Sequence, residues 1–518
     1  MNKAFLAVLS PSTRRTVIWY GFTIFLSSAV LLVLEIAAGR LIAPYVGVSI
    51  YSWTSIIGVI LAGLSLGNWL GGHWADKGAG ELGVGVVLVL SACFSLASLL
   101  FLTFVAPLLQ SSQLDLISSS FIYVMSMFFI PSVLLGVVTP VLTTLALRLD
   151  DRLGHIVGRM NALAALGSIF GTFITGYWLL QYFGTRKVII GSAVCLALLA
   201  LPYLRKIRAK QAIAVLLVGS GVIGLTEHRR GFADPCQWES NYFCLRVDDA
   251  SDPNYGNAVA LILDHLIHGI NHVSDPELLI SPYVHAMDEL VKVHFNADPG
   301  SELSYFFAGG GAYTQQRAVK AMYPSASVTV AELDPTVTRV VQEALFVDIK
   351  GMNIIHEDAR VVLQKRTGPR EPFDVIVADA FHDISVPYHM VTLEFIQTVK
   401  RNLKPNGLYL LNIIDGFPDA RLAKSLVKTL QQEFDYVDVW LDQAPAEVTR
   451  VTYVISAQNE APFPDMVFSQ QGFQRRWLRI NVPLIASGTP LESLPILTDD
   501  YVPVDRLLSK ILFGAGAL

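Results

Sequence analysis

SYFFAGGGAY (304–313), VTVAELDP (328–335), IIHEDAR (354–360) and FDVIVADAFHD (373–383) decide the fold of the C-terminal half of this 518-residue chain. Each opens on an apolar, β-branched or aromatic run and closes on glycines or an acid, so each reads as a buried strand with a polar carboxyl end. Helix-period segments stand between them, at 313–322, 335–346 and 359–366. Strand and helix patterns go on alternating through 391–402, 407–413, 418–433, 436–441 and 449–456. Alternation of this kind predicts a doubly wound, mostly parallel sheet, which takes ligands at the carboxyl ends of its strands. The four polar ends are therefore expected to share one pocket.

Working outward, PYVHAMDELVKVHF (282–295) reads as an amphipathic helix opened by Pro282. Before it, YFCLRVDD (242–249) and AVALILDHLIHGI (258–270) read as strands joined by the turn-rich ASDPNYGN (250–257), a small antiparallel β unit. Further back the composition changes. The chain is 53% hydrophobic and only 16% charged, too apolar for a wholly soluble enzyme, and nearly all of the excess lies before residue 226.

Apolar segments at 17–39, 51–71, 83–105, 117–147, 157–182, 186–204 and 211–226 are each close to the length that crosses a bilayer. This makes seven spans. The fourth carries Pro131, Gly136 and Pro140 and is long enough to be a broken pair, which would make eight. With seven spans and the N-terminus inside, the inner loops hold Lys3, Arg14, Arg15, Lys77, Arg148, Arg152, Arg159, Arg205, Lys206, Arg208 and Lys210, and the outer loops only Arg40, Arg186 and Lys187. That bias, with Cys236 and Cys244 eight apart just after the last span and able to bridge, favours an extracytoplasmic C-terminal half. Glycine-rich stretches such as GVILAGLSLG (58–67) and ALAALGSIFGTFITG (162–176) call for close helix packing.

The expected organisation is an all-α transmembrane bundle over 1–226, a linker at 227–240, the small β subdomain at 241–281, a Rossmann-like nucleoside-binding domain at 282–460, and an extension at 461–518 with an acidic turn and an amphipathic end. A net charge of −5 and no basic stripe argue against nucleic acid as the main partner. No metal-ligand spacing occurs around the cysteines. The expected partners are the bilayer of a cell (inner) membrane, crossed many times, and a small nucleoside; a homo-oligomer is left open.

The chemistry follows from the strand ends. Gly309, Gly310 and Gly311 allow a ligand to approach the backbone closely. Glu332 stands where a carboxylate accepts both ribose hydroxyls, and Asp358, followed by Ala359, where one accepts from an exocyclic amine. There is no Walker lysine and no G-x-G-x-x-G, so a nucleoside fits better than a dinucleotide. Asp379 would face the reacting part of that ligand as a general base.

These residues resemble the spermidine synthase family of polyamine aminopropyltransferases, in its membrane-fused members. LILDHLIHG (261–269) is similar to the family's substrate-lining hairpin, PYVHAM (282–287) to its tyrosine-bearing helix start, AGGG (308–311) to its glycine loop, AELD (331–334) and EDAR (357–360) to its nucleoside acids, and VADAFHDISVPYHMVTLEF (377–395) to its catalytic loop. The resemblance implies a class I methyltransferase-like fold and, as co-substrate rather than bound cofactor, a sulfonium nucleoside, either S-adenosylmethionine or its decarboxylated form. It implies that Glu332 binds ribose and Asp358 adenine, and that Asp379 deprotonates an amine attacking the methylene beside the sulfonium, with release of methylthioadenosine. Tyr283 would line the amine channel, and His268 stands where a Gln usually meets the nucleoside.

The chain departs from the pattern at Ala312, His382 and His285, each in place of an acid. His382, Asp383 and His285 are thus expected around the amine, with Asp499 and Asp500 available as replacement acids. Two other readings keep the pocket: cleavage of S-adenosylmethionine, or methyl transfer from it, without a diamine; and a nucleoside or polyamine transporter or sensor without catalysis.

Overall fold

The computed structural model describes residues 11–47, 49–111, 114, 116–150, 152–366, 371–381, 386–443 and 449–509. The chain divides into two compact units, Met1–Pro235 and Cys236–Leu518.

Among the described residues of the first unit seven helices are long and apolar enough to cross a bilayer: Thr13–Val46, Ile50–Asp76, Glu81–Leu109, Ile117–Leu147, Leu153–Phe183, Thr185–Arg205 and Ala209–His228. They fit a multi-pass membrane protein. Pro131 and Pro140 lie inside one continuous helix, so the fourth apolar segment forms a single span and the eight-span alternative does not arise. Hydroxyls in this apolar setting turn back on their own helix, as Ser132 does onto the Phe128 carbonyl at 2.8 Å.

Glycine decides which helices meet. A Cβ on Gly63 would stand 2.8 Å from that of Ser132, and one on Gly71 would stand 2.7 Å from Pro140 Cγ, so the second and fourth helices pack backbone to backbone. Gly167 and Gly171 press the fifth helix in the same way against Phe25 and Ala29 of the first. Large apolar side chains such as Trp69, Leu108, Phe173, Leu198 and Leu216 stay exposed, as a lipid-facing surface requires.

The second unit begins with a four-stranded antiparallel sheet of β1 (Trp238–Glu239), β2 (Cys244–Asp249), β3 (Ala258–Leu263) and β4 (Leu266–His272). Cys236 and Cys244 are disulfide-bonded, with Cα atoms 5.1 Å apart. The run 258–270, read as one strand, is a hairpin instead. Asp264 takes a left-handed conformation (φ 53°), and its Oδ1 accepts from the Cys244 N–H at 2.9 Å, which closes a tight turn that no glycine announces.

The main sheet contains β5 (Ser304–Ala308), β6 (Ser327–Ala331), β7 (Met352–Ile355), β8 (Phe373–Ala378), β9 (Leu403–Phe417), β10 (Tyr436–Leu441), β11 (Thr449–Gln458), β12 (Met466–Phe468) and β13 (Arg476–Arg479). Its order is β12-β13-β10-β11-β9-β8-β5-β6-β7, with β5 to β9 parallel and β11 antiparallel to both its neighbours. Leaving out the added edge pair, the strands run third, second, first, fourth, fifth, seventh, sixth, with the seventh reversed. That is the class I methyltransferase-like topology.

All six residues of β8 are buried, as the continuous apolar run predicts. Strand order reverses between β5 and β8, so the cleft opens at their carboxyl ends. The segment after β13 is tied to the helix Arg421–Leu430: the fully buried Lys424 donates to the carbonyls of Ser487 and Thr489, and Lys428 to that of Leu494 at 2.7 Å. Of the amphipathic end expected there, Val504–Leu507 is a single helical turn, and 510–518 lie outside the described residues.

Candidate active site

The glycine turn and the base are built on each other. Gly309 N donates to the Ala331 carbonyl at 3.0 Å and Asp379 N to that of Ala308 at 3.1 Å, which stitches the ends of β6, β5 and β8 together. At Gly309 (φ 100°) a Cβ would stand 3.1 Å from the Asp379 carbonyl carbon, so conformation and space both require glycine. Gly310 N donates to Glu332 Oε2 at 2.8 Å and Asp334 N to Oε1 at 2.9 Å. Glu332 is thereby fixed at the end of β6 with its remaining lone pairs toward the cleft; burial pushes its pKa up despite these bonds.

Asp358 follows β7 and is both a helix cap and a hydrogen-bond partner of His389. Its Oδ1 accepts from Val361 N at 3.1 Å and its Oδ2 lies 2.8 Å from His389 Nε2. The His389 hydrogen bond holds this carboxyl below its usual range. Arg360 in turn donates to the His389 carbonyl at 2.8 Å and grips Asp499 with both terminal nitrogens. Asp499 is therefore engaged away from the cleft, and Asp500 is exposed in the turn between Thr498 and Tyr501, so neither acts as a replacement acid.

Asp379 receives Asn412 Nδ2 on Oδ1 at 2.9 Å and the Tyr283 hydroxyl on Oδ2 at 3.3 Å. Burial pushes its pKa up to about 6, with the two donors opposing the rise. A carboxylate so placed is ionised at neutral pH and still basic enough to take a proton. Asp379 lies at the junction of two cavities. The first is lined by Gly309, Gly311, Glu332, Asp358, Ala359 and His268, with Tyr242 and Phe243 as an aromatic wall. The second shares His268, Gly311, Asp379 and Phe381 and adds His265, Tyr283, Asn412, Thr452 and Arg450. Burial first, then in each case a neighbouring cation or imidazole, lowers His265 and His268 to about 4, so both rings are neutral at pH 7.

Other expected residues fall elsewhere. His285 lies two residues past Tyr283, roughly 200° round the helix. It packs edge-on to Trp477 at 5.1 Å, with Nε2 3.3 Å from Glu289, and lines neither cavity. His382 and Asp383 lie outside the described residues. Among the described residues no group of His, Cys, Asp and Glu could hold a metal ion. Asn412, His389, His265, Arg450, Tyr242 and Phe243 were not foreseen. Only Asn412, a polar residue inside the apolar run LYLLNII (408–414), carried a local signal.

The fold and the cleft define the C-terminal half as a methyltransferase-like α/β domain with a buried carboxylate at a two-cavity junction. No family model matches the chain. It is 30% identical over 229 residues to "Probable polyamine aminopropyl transferase" of Bifidobacterium longum, covering 39% of this chain and 48% of that protein. It is 27% identical over 132 residues to the "Polyamine aminopropyltransferase" of Vibrio vulnificus, covering 25% and 42%. The chain thus spans about half the length of the curated relatives it matches or less. Among solved structures it is similar to a probable spermidine synthase from Corynebacterium glutamicum (20% identity, TM-score 0.43, 52% of this chain and 97% of that one) and to spermidine synthase from Thermotoga maritima (19%, 0.32, 43% and 72%). The resemblance to the spermidine synthase family read from the motifs is thus found by sequence comparison as well.

Proposed function

We propose that this chain is a membrane-bound transferase of the spermidine synthase type, which passes an aminopropyl-type group from a sulfonium nucleoside to an amine. The first cavity takes the nucleoside, with Glu332 on the ribose hydroxyls, Asp358 near the base and Tyr242 and Phe243 against its face. The observation that carries this reading is Asp379, a buried carboxylate with a pKa near 6 held by Asn412 and Tyr283 where the two cavities meet.

A neutral amine in the second cavity attacks the methylene beside the sulfonium. The new N–C bond forms as the C–S bond breaks, its electron pair returns to sulfur, and the proton shed by the amine passes to Asp379. The leaving group is an uncharged thioether, methylthioadenosine, so the protein has chiefly to align the two reactants and remove one proton. The seven apolar helices anchor the enzyme in a cell membrane, and loop charge together with the Cys236–Cys244 bridge favours the extracytoplasmic side. Full-length protein in detergent, given S-adenosylmethionine or its decarboxylated form with putrescine or γ-aminobutyrate as the amine, should release methylthioadenosine with at least one combination, and Asp379→Asn should slow that release about 10²–10⁴-fold. Unchanged turnover in the variant would remove Asp379 from the mechanism; a reporter fused at Leu518 fixes the side.

A further inference from the structure

The second cavity carries a charge pattern opposite to the one a diamine needs. Thr452 and Arg450 lie on the same face of the β9/β11 ladder as Asn412 and Ile414. The register pairs Val454 with Asn412, Thr452 with Ile414 and Arg450 with Gly416. Arg450 therefore sits two rungs beyond the residue that holds Asp379, about 13 Å along the strand. Its partner Gly416 has no side chain to cover it, and Arg450 is exposed at the cavity mouth.

Between these two ends the lining is His265, His268, Tyr283 and Thr452, all uncharged at neutral pH. Among the described residues lining this cavity, Asp379 is the one carboxylate and Arg450 the one permanent cation. An amine can be received at the Asp379 end, but a second ammonium would be directed at a guanidinium. A carboxylate there would instead meet a planar donor fork.

We propose that the second cavity binds a carboxylate at Arg450, so that the molecule filling it is anionic or zwitterionic at that end and not a diamine. This rests on the nucleoside reading of the first cavity. The carboxylate has two sources: the α-carboxylate of a sulfonium donor that has not been decarboxylated, or one borne by the amine acceptor. The bond changes at the methylene are the same for either.

Binding to full-length protein, measured by calorimetry, tests this without relying on turnover. One arm compares S-adenosylmethionine with its decarboxylated form. The other compares γ-aminobutyrate with putrescine on protein both free and loaded with methylthioadenosine. The carboxylate-bearing member of at least one pair should bind tenfold or more tightly, the arm that shows it naming the source. Arg450→Met should erase the preference and Arg450→Lys keep part of it. Equal or tighter binding of the decarboxylated donor and of putrescine, or a preference that survives Arg450→Met, overturns the proposal. A carboxylate preference without any methylthioadenosine release would leave the site standing and remove the transferase reading.

Discussion

The side-chain amide of Asn412 donates to Asp379 Oδ1 at 2.9 Å, so β9 orients the carboxylate that ends β8. Because this bond favours the ionised form, Asn412→Ala should let the Asp379 pKa climb above about 6. The acid limb of the rate profile then moves up by about one pH unit, with about a fivefold loss at pH 6 that approaches tenfold at lower pH. Initial rates of methylthioadenosine release between pH 5 and 9 measure this, and an unmoved limb would remove Asn412 from its positioning role.

In the unsubstituted protein the rate should fall as pH drops through about 6, since a protonated Asp379 cannot accept the amine proton. The stability effect has the opposite sense. A carboxyl raised from 3.8 to about 6 binds a proton in the folded state that the unfolded chain has released, so its contribution weakens as pH rises through that window. Asp379→Asn should therefore cost about 10²–10⁴ in rate yet melt no lower than the parent at pH 8. A melting temperature clearly below the parent's would show that the residue is structural.

Glu332 has both oxygens on backbone N–H groups, and its charge strengthens each bond. In Glu332→Gln the amide nitrogen faces one of those donors. Loss of about 1.5–3 kcal/mol for a charged hydrogen bond corresponds to a methylthioadenosine Kd raised about ten- to a hundredfold, read by calorimetry. An unchanged Kd would place the ribose elsewhere.

In the membrane half, Gly67 lies within van der Waals reach of Val133 and Gly136, whereas nothing stands within 4 Å of a Cβ on Gly58, about two and a half turns away on the opposite face of the same helix. Gly67→Leu should destabilise the bundle by about 1–3 kcal/mol or more, and Gly58→Leu should be tolerated. Thermal unfolding in detergent compares them; equal melting temperatures would mean the second and fourth helices do not meet as described.

Much of the fold was legible because its signals are local. The strands Ser304–Ala308, Phe373–Ala378 and Tyr436–Leu441 and the helix Pro282–Phe295 fall where the apolar periods set them. The hairpin inside 258–270 was invisible to periodicity, since Asp264 turns left-handed without a glycine to mark it, and only the resemblance of LILDHLIHG (261–269) to a hairpin pointed there. The short edge strands Met466–Phe468 and Arg476–Arg479 carry too few residues for a period to show. In the site, glycines and acids at strand ends were visible in one dimension. Arg450 and His389 meet their neighbours only through sheet register and a loop, which no spacing along the chain encodes. His285 shows the converse: its place two residues after Tyr283 set it at the amine, and helix geometry turns it into the interior.

Lys424, Lys428 and Arg360 reach from the sheet-bearing core to carbonyls or carboxylates at Ser487, Thr489, Leu494 and Asp499. What reads as an appendage is the clasp on which three cations close. Trimming the chain after Gln458 to obtain a smaller soluble fragment would remove the carbonyl acceptors of Lys424 and Lys428 together with the buried Leu494, Leu497 and Val504, and take Asp499 from the Arg360 guanidinium. Such a fragment is expected to aggregate, whereas one running from Cys236 through Ser509 retains every one of these ties. For this protein the usable cut point for crystallisation lies at the far end of the chain and not where the Rossmann-like pattern stops.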